Sequence, residues 1–135
     1  FTSWNGVEAS PRPSQPDGPP IHVGGGAPAT FRRVVRRAHG WYGFLTTLES
    51  AATAVSSIRT LEDEVGRPEG LGTVGFSVTP SEIVDRDLVR RYEDLGLDRM
   101  ILVRDFRDVG RGPDSERADS VLNFIAETPG RLKFS

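Results

Sequence analysis

The apolar positions of this chain switch repeatedly between a two-residue and a three-to-four-residue period, so strands and helices are expected to alternate. Ile21 to Val23 is a short apolar run that leads into Gly24, Gly25 and Gly26. Pro28 then occupies a first helical position. Phe31, Val34, Val35 and Ala38 follow at i, i+3, i+4 and i+7, with Arg32, Arg33, Arg36 and Arg37 on the opposite face. His39-Gly40 predicts the end of that helix, with Gly40 as a left-handed cap, and Trp41 to Leu45 predicts a second strand. Thr46 is expected to open the next helix, with Glu49 completing a capping box. Leu48, Ala51, Val55, Ile58, Leu61 and Val65 hold the helical period until Gly66 and Pro68 stop it.

Leu71 to Thr79 predicts a third strand in which Val74, Phe76 and Val78 alternate with Thr73, Gly75 and Ser77, and Pro80 closes it. Asp85 is placed to cap a helix whose Leu88, Val89, Tyr92 and Leu95 share one face, with Gly96 at its end. Met100 to Val103 is a continuous apolar run, the mark of a strand covered on both faces. A charged loop from Arg104 to Gly112 precedes a last helix from about Asp114 to Thr128, with Ala118, Val121, Leu122 and Ile125 expected to face inward.

Four consecutive βα units of this kind predict an α/β fold with a parallel sheet and right-handed crossovers. The same pattern fits half of a (β/α)8 TIM barrel and a small open parallel sheet, and periodicity does not separate the two. The domain occupies residues 21–135. Residues 1–20 form a lead-in, with a turn dipeptide at Asn5-Gly6 between short apolar groups. Ser10 to Pro20 carries five of the ten prolines and reads as extended surface loop.

Composition narrows the function. With 135 residues and 36% hydrophobic content, the chain has enough apolar material for one ordinary core. Interspersed charges with a net of −2 argue against nucleic acid or a membrane surface as partner, so the arginine face of the first helix reads as solvated. No apolar run approaches membrane-spanning length. The absence of cysteine excludes a disulfide scaffold and thiolate metal sites, and it fits a cytoplasmic location. Two histidines without paired ligand spacing give no metal site. His22 is expected on the strand face opposite Ile21 and Val23, and His39 beside a helix C-terminus, where a cation is favoured. No catalytic residue is assigned.

The glycine run is the strongest chemical signal. A strand that passes through three glycines into a helix leaves unobstructed backbone N–H groups at the positive end of the helix dipole, an arrangement that holds phosphate. The run matches neither the dinucleotide fingerprint nor the Walker A motif. Phosphate binding and a purely steric turn both remain open on spacing alone.

Several motifs in order carry a family resemblance: PPIHVGGGAPATFRRVVRRAHGWYGF, a capped helix ending in GRP, SVTP, and DLVRRYEDLGLDRMILV. From about Pro11 to Val103, this succession resembles the C-terminal half of the bacterial luciferase-like monooxygenases, and is most similar to their deazaflavin-dependent branch. The resemblance implies a TIM-barrel oxidoreductase that binds the deazaflavin coenzyme F(420), or alternatively FMN, at the C-terminal ends of its strands and acts on a small organic substrate. It assigns Gly24, Gly25 and Gly26 to the cofactor phosphate and places Gly43, Phe44 and Thr46 at the same mouth. Where the family often has Asp-Gly-Trp, this chain has His39-Gly40-Trp41, so a role for that carboxylate does not carry over.

The visible strands would be the fifth to the eighth of the barrel. The chain is then expected to be part of a longer protein and inactive without the N-terminal half-barrel. Unpaired sheet edges would favour a homodimer over a monomer. The reading from another class is a non-catalytic α/β module that binds a phosphorylated ligand or a partner protein.

Overall fold

In the computed structural model, residues 3, 5–6, 10–16, 18–103 and 122–128 are described. The elements run β1 (His22–Gly24), α1 (Pro28–Arg37), β2 (Gly40–Thr46), α2 (Leu48–Val65), a single 3-10 turn (Glu69–Leu71), β3 (Gly75–Pro80), α3 (Arg86–Asp94) and β4 (Arg99–Met100). The four strands form one sheet in the order β1-β2-β3-β4, and every neighbouring pair is parallel. Sequential order means that the chain winds in one direction without the reversal that defines a doubly wound sheet. This winding agrees with part of a TIM barrel.

Local chemistry explains most of the boundaries. Pro28 stands at the start of α1, where its missing N–H costs nothing. Thr30, Phe31, Val34 and Val35 are buried, whereas all four arginines of the helix are exposed. Helix α2 ends as the period predicts, at Val65, and Gly66 at φ 69° turns the chain out. Asp85 Oδ1 accepts the Leu88 amide at 2.8 Å and so caps α3. Gly96 follows α3 at φ 80°.

Helix α2 opens one residue later than expected. Thr46 stays in the strand, Thr47 is the cap and accepts the Ser50 amide, and Glu49 completes no box with Thr46. The left-handed cap expected at Gly40 is absent. Helix α1 ends at Arg37 with Ala38 extended, and Gly40 is the first residue of β2. Space is what requires glycine there. A Cβ on Gly40 would collide with the Gly75 carbonyl oxygen and with the His22 ring, which lies across the sheet at that point.

The core lies between the sheet and its helices, with Val34, Val35, Ile58 and Val78 fully enclosed. The pairings Val23↔Trp41 and Trp41↔Phe76 align three core residues on the helix side. The adjacent row, Gly24, Tyr42 and Ser77, therefore faces away from the helices. His22 lies on that same opposite face, as its place in the strand predicts.

Strand β3 starts at Gly75 rather than Leu71 and is enclosed on both faces, with Ser77 and Thr79 as buried as its apolar residues. Its edges are covered by β2 and β4. The expectation of a strand covered on both faces fails instead for β4. It is short, and Arg99 and Ile101 are exposed. Leu122 and Ile125, expected inward, are 61% and 58% exposed on the helical run 122–128. The loop 104–112 and the remainder of the last predicted helix lie outside the described residues. So do Phe1, Trp4 and Val7, which flank the Asn5-Gly6 turn.

Candidate functional site

All six residues singled out in the sequence, Gly24, Gly25, Gly26, Gly43, Phe44 and Thr46, line one cavity of about 570 Å³ at the carboxyl ends of β1 and β2. Phe31, Trp41, Tyr42, Ser50, Thr53 and Ala54 complete its walls. Ser50 and Thr53 give no motif in the sequence. They are there because the first turns of α2 pass beside the glycines.

The glycine turn is built for close backbone approach. Gly25 has φ 115°, and a Cβ there would come within 3.2 Å of Thr30 Oγ1. A Cβ on Gly24 would stand 3.3 Å from the Tyr42 carbonyl oxygen, whereas one on Gly26 would enter open space. The Trp41 indole N–H donates to the Gly25 carbonyl oxygen at 2.9 Å and anchors the turn to β2. The Trp41 ring in turn occupies the space that a side chain at position 43 would need, so Gly43 is required by packing. This explains physically why the glycine run and the aromatic strand occur together.

Three helix N-termini open near the mouth, and only one is left without a capping side chain. Thr47 caps α2, and the Glu82 carboxylate, from the segment after β3, accepts the Leu48 amide at 2.8 Å. Asp85 caps α3. Helix α1 has Ala27 at its N-cap position, with no side-chain cap and no acidic residue in its first turn. Its positive end thus remains available to an external anion. A larger hollow of about 760 Å³ lies between α2 and α3, but Glu49, Glu82, Asp85, Asp87 and Asp94 line it against the single cation of Arg91. Its field would repel phosphate, so size does not decide between the two cavities.

Near these groups Tyr92 ties the mouth together. Its hydroxyl lies 3.0 Å from the Thr46 carbonyl oxygen and 3.4 Å from Glu82 Oε2. Burial first, and then the Glu82 carboxylate, push the phenol up to about 12 from its ordinary 10. The folded state therefore holds this proton more tightly than the unfolded chain. The resulting stability is complete below pH 10 and is lost as pH rises toward 12. Urea unfolding on either side of pH 10 should show this decline, and Tyr92→Phe should flatten it.

His39 plays a structural part. Its Nδ1 accepts the Ile21 amide at 3.0 Å and so it fastens the start of β1. Among the described residues, no group of three or more His, Asp or Glu side chains could hold a metal, and no helix is long and apolar enough to cross a membrane.

A family model described as luciferase-like monooxygenase matches residues 1–92. No curated protein and no solved structure matches the chain. The matched span takes in β1, α1, β2, α2, β3 and most of α3, including every residue of the glycine-lined cavity. The chain belongs to the luciferase-like monooxygenase family, whose members are oxidoreductases working with flavin-type cofactors.

Proposed function

We propose that this chain forms the cofactor-phosphate end of a luciferase-like oxidoreductase that uses the deazaflavin coenzyme F(420), with FMN as the alternative, and acts on a small organic substrate. One observation carries the reading. The α1 N-terminus, uncapped and without acidic residues, opens beside three glycines onto a cavity of ligand size, while Thr47 and Asp85 cap α2 and α3.

The residues present fit the group. Gly24, Gly25 and Gly26 supply backbone without side chains, and Thr46, Ser50 and Thr53 supply hydroxyls from the facing wall. These would hold the phosphate, and Phe44 would stand at the mouth above it. When bound, a flavin-type cofactor supplies hydride transfer to or from the substrate. The protein's part is to fix the phosphate and present the ring.

In this proposal the four strands are the last four of the barrel. Closure of eight strands calls for four more from the same polypeptide or a partner, and β4 has an open edge among the described residues. Fluorescence titration of the full-length protein with coenzyme F(420) and FMN tests the reading. One of them should bind more tightly than its phosphate-free counterpart. Failure of both to bind sinks the proposal.

A further inference from the structure

The end of β2 separates two environments. Up to Gly43↔Val78 its ladder with β3 is regular, and the next pair is Thr46↔Pro80. Phe44 and Leu45 therefore oppose Thr79 alone, a bulge in which Leu45 takes φ 47°. The extra residue turns Thr46 to the helix side, next to Gly43 and the glycine-lined cavity. Before the bulge, Tyr42 points to the opposite face, the interior of any barrel this sheet helps to close.

Tyr42 also borders the cavity, so a ligand anchored at the glycines and reaching over the strand end into the interior would pass its ring. Its hydroxyl is 2.7 Å from Thr79 Oγ1, and Thr79 is 1% exposed. Two hydroxyls that share one hydrogen bond have one proton to spare. If Tyr42 donated, the buried Thr79 proton would lack an acceptor among the described residues, at a real cost. Donation from Thr79 satisfies the buried group and leaves the half-buried phenol O–H pointing outward with its proton. The pair thus presents one oriented donor to the chamber.

We propose that the Tyr42 hydroxyl, oriented by Thr79, donates a hydrogen bond to a carbonyl on the edge of the flavin-type ring. Tyr42 is then a ring-binding residue and Thr79 a positioning residue. The assignment rests on the reading that the glycine turn holds the cofactor phosphate. It concerns the other end of the same ligand.

The test uses the full-length protein with Tyr42→Phe, Thr79→Val, Thr79→Ser and the double variant Tyr42→Phe/Thr79→Val. Each is titrated with riboflavin and FMN and with the phosphate-free deazaflavin and coenzyme F(420). Tyr42→Phe should weaken the phosphate-free and phosphate-bearing forms by the same factor, about 3- to 10-fold, and should shift the absorption band of the bound ring. Thr79→Val should weaken binding by less, and Thr79→Ser should restore it. The double variant should lose no more than Tyr42→Phe alone, because Thr79 acts through Tyr42. Wild-type affinity and spectrum in Tyr42→Phe, or losses that multiply in the double variant, would overturn the assignment. A wild-type protein that binds none of the four compounds overturns the cofactor reading itself, which is a different outcome from ring binding that ignores Tyr42.

Discussion

Replacing Arg67 with alanine should lower the unfolding free energy by about 3 kcal/mol, the largest loss expected from any single side chain outside the apolar core. This side chain is 6% exposed and lies at the opposite end of the sheet from the cavity. Its Nη1 donates to the carbonyl oxygens of Val34 and Val35, its Nη2 to those of Ala38 and Leu71, and its Nε to Gly72. One guanidinium thereby closes the C-terminus of α1 and holds the turn that leads into β3. Burial lowers its pKa and Glu62, 3.8 Å away, raises it back in part. A guanidinium stays charged throughout.

Removing the side chain strands several carbonyls at about 1–3 kcal/mol each where water does not reach them. Against a net stability of roughly 5–15 kcal/mol this is a large fraction. Arg67→Lys should recover only part, because an ammonium on a flexible stem cannot reproduce the planar fork. Urea-induced unfolding measures both variants. An Arg67→Ala midpoint equal to wild type would show that the clamp contributes nothing.

Introducing aspartate at Gly26 should weaken FMN or coenzyme F(420) binding about 100-fold while leaving the phosphate-free forms within about twofold. Gly26 is the informative position of the three. At Gly25 the positive φ and the nearness of Thr30 would strain any side chain, so a loss of binding there would mix with a loss of stability. A Cβ at Gly26 meets nothing within 4 Å. A carboxylate before α1 also suits the helix dipole, so thermal stability should hold or rise. Like charges separated by the width of a contact repel by about 4 kcal/mol at an effective dielectric of about 20, enough for the expected effect after solvent screening. Equal FMN affinity in the variant would remove the glycine turn from the phosphate site.

Much of the fold was readable along the chain because its causes are local. The end of α2 at Val65, Pro28 at the start of α1, Asp85 as the α3 cap and the glycine exits at Gly66 and Gly96 all depend on residues within one turn of each other. Local sequence is not enough where neighbours in space are distant along the chain. Gly40 has the sequence context of a helix cap, but its need for glycine comes from His22 and Gly75 on adjacent strands. Thr46 resembles a capping residue, yet its amide partner went to Thr47, and Glu82 reached the same helix start from 34 residues away. Strand β4 has a buried strand's composition but pairs with β3 over only two residues, so Ile101 remains exposed.

By itself, the sequence determined the alternation of strands and helices, the parallel class of the sheet and the glycine turn before α1. These depend on periodicity, turn chemistry and backbone freedom, which act over a few residues. Only the tertiary structure decided which helix N-terminus stays uncapped, which face Tyr42 and Thr46 take on either side of the bulge, and how Arg67 joins three segments. Those outcomes depend on strand register and on hydrogen bonds across tens of residues, where a shift of one position reverses the direction of every side chain.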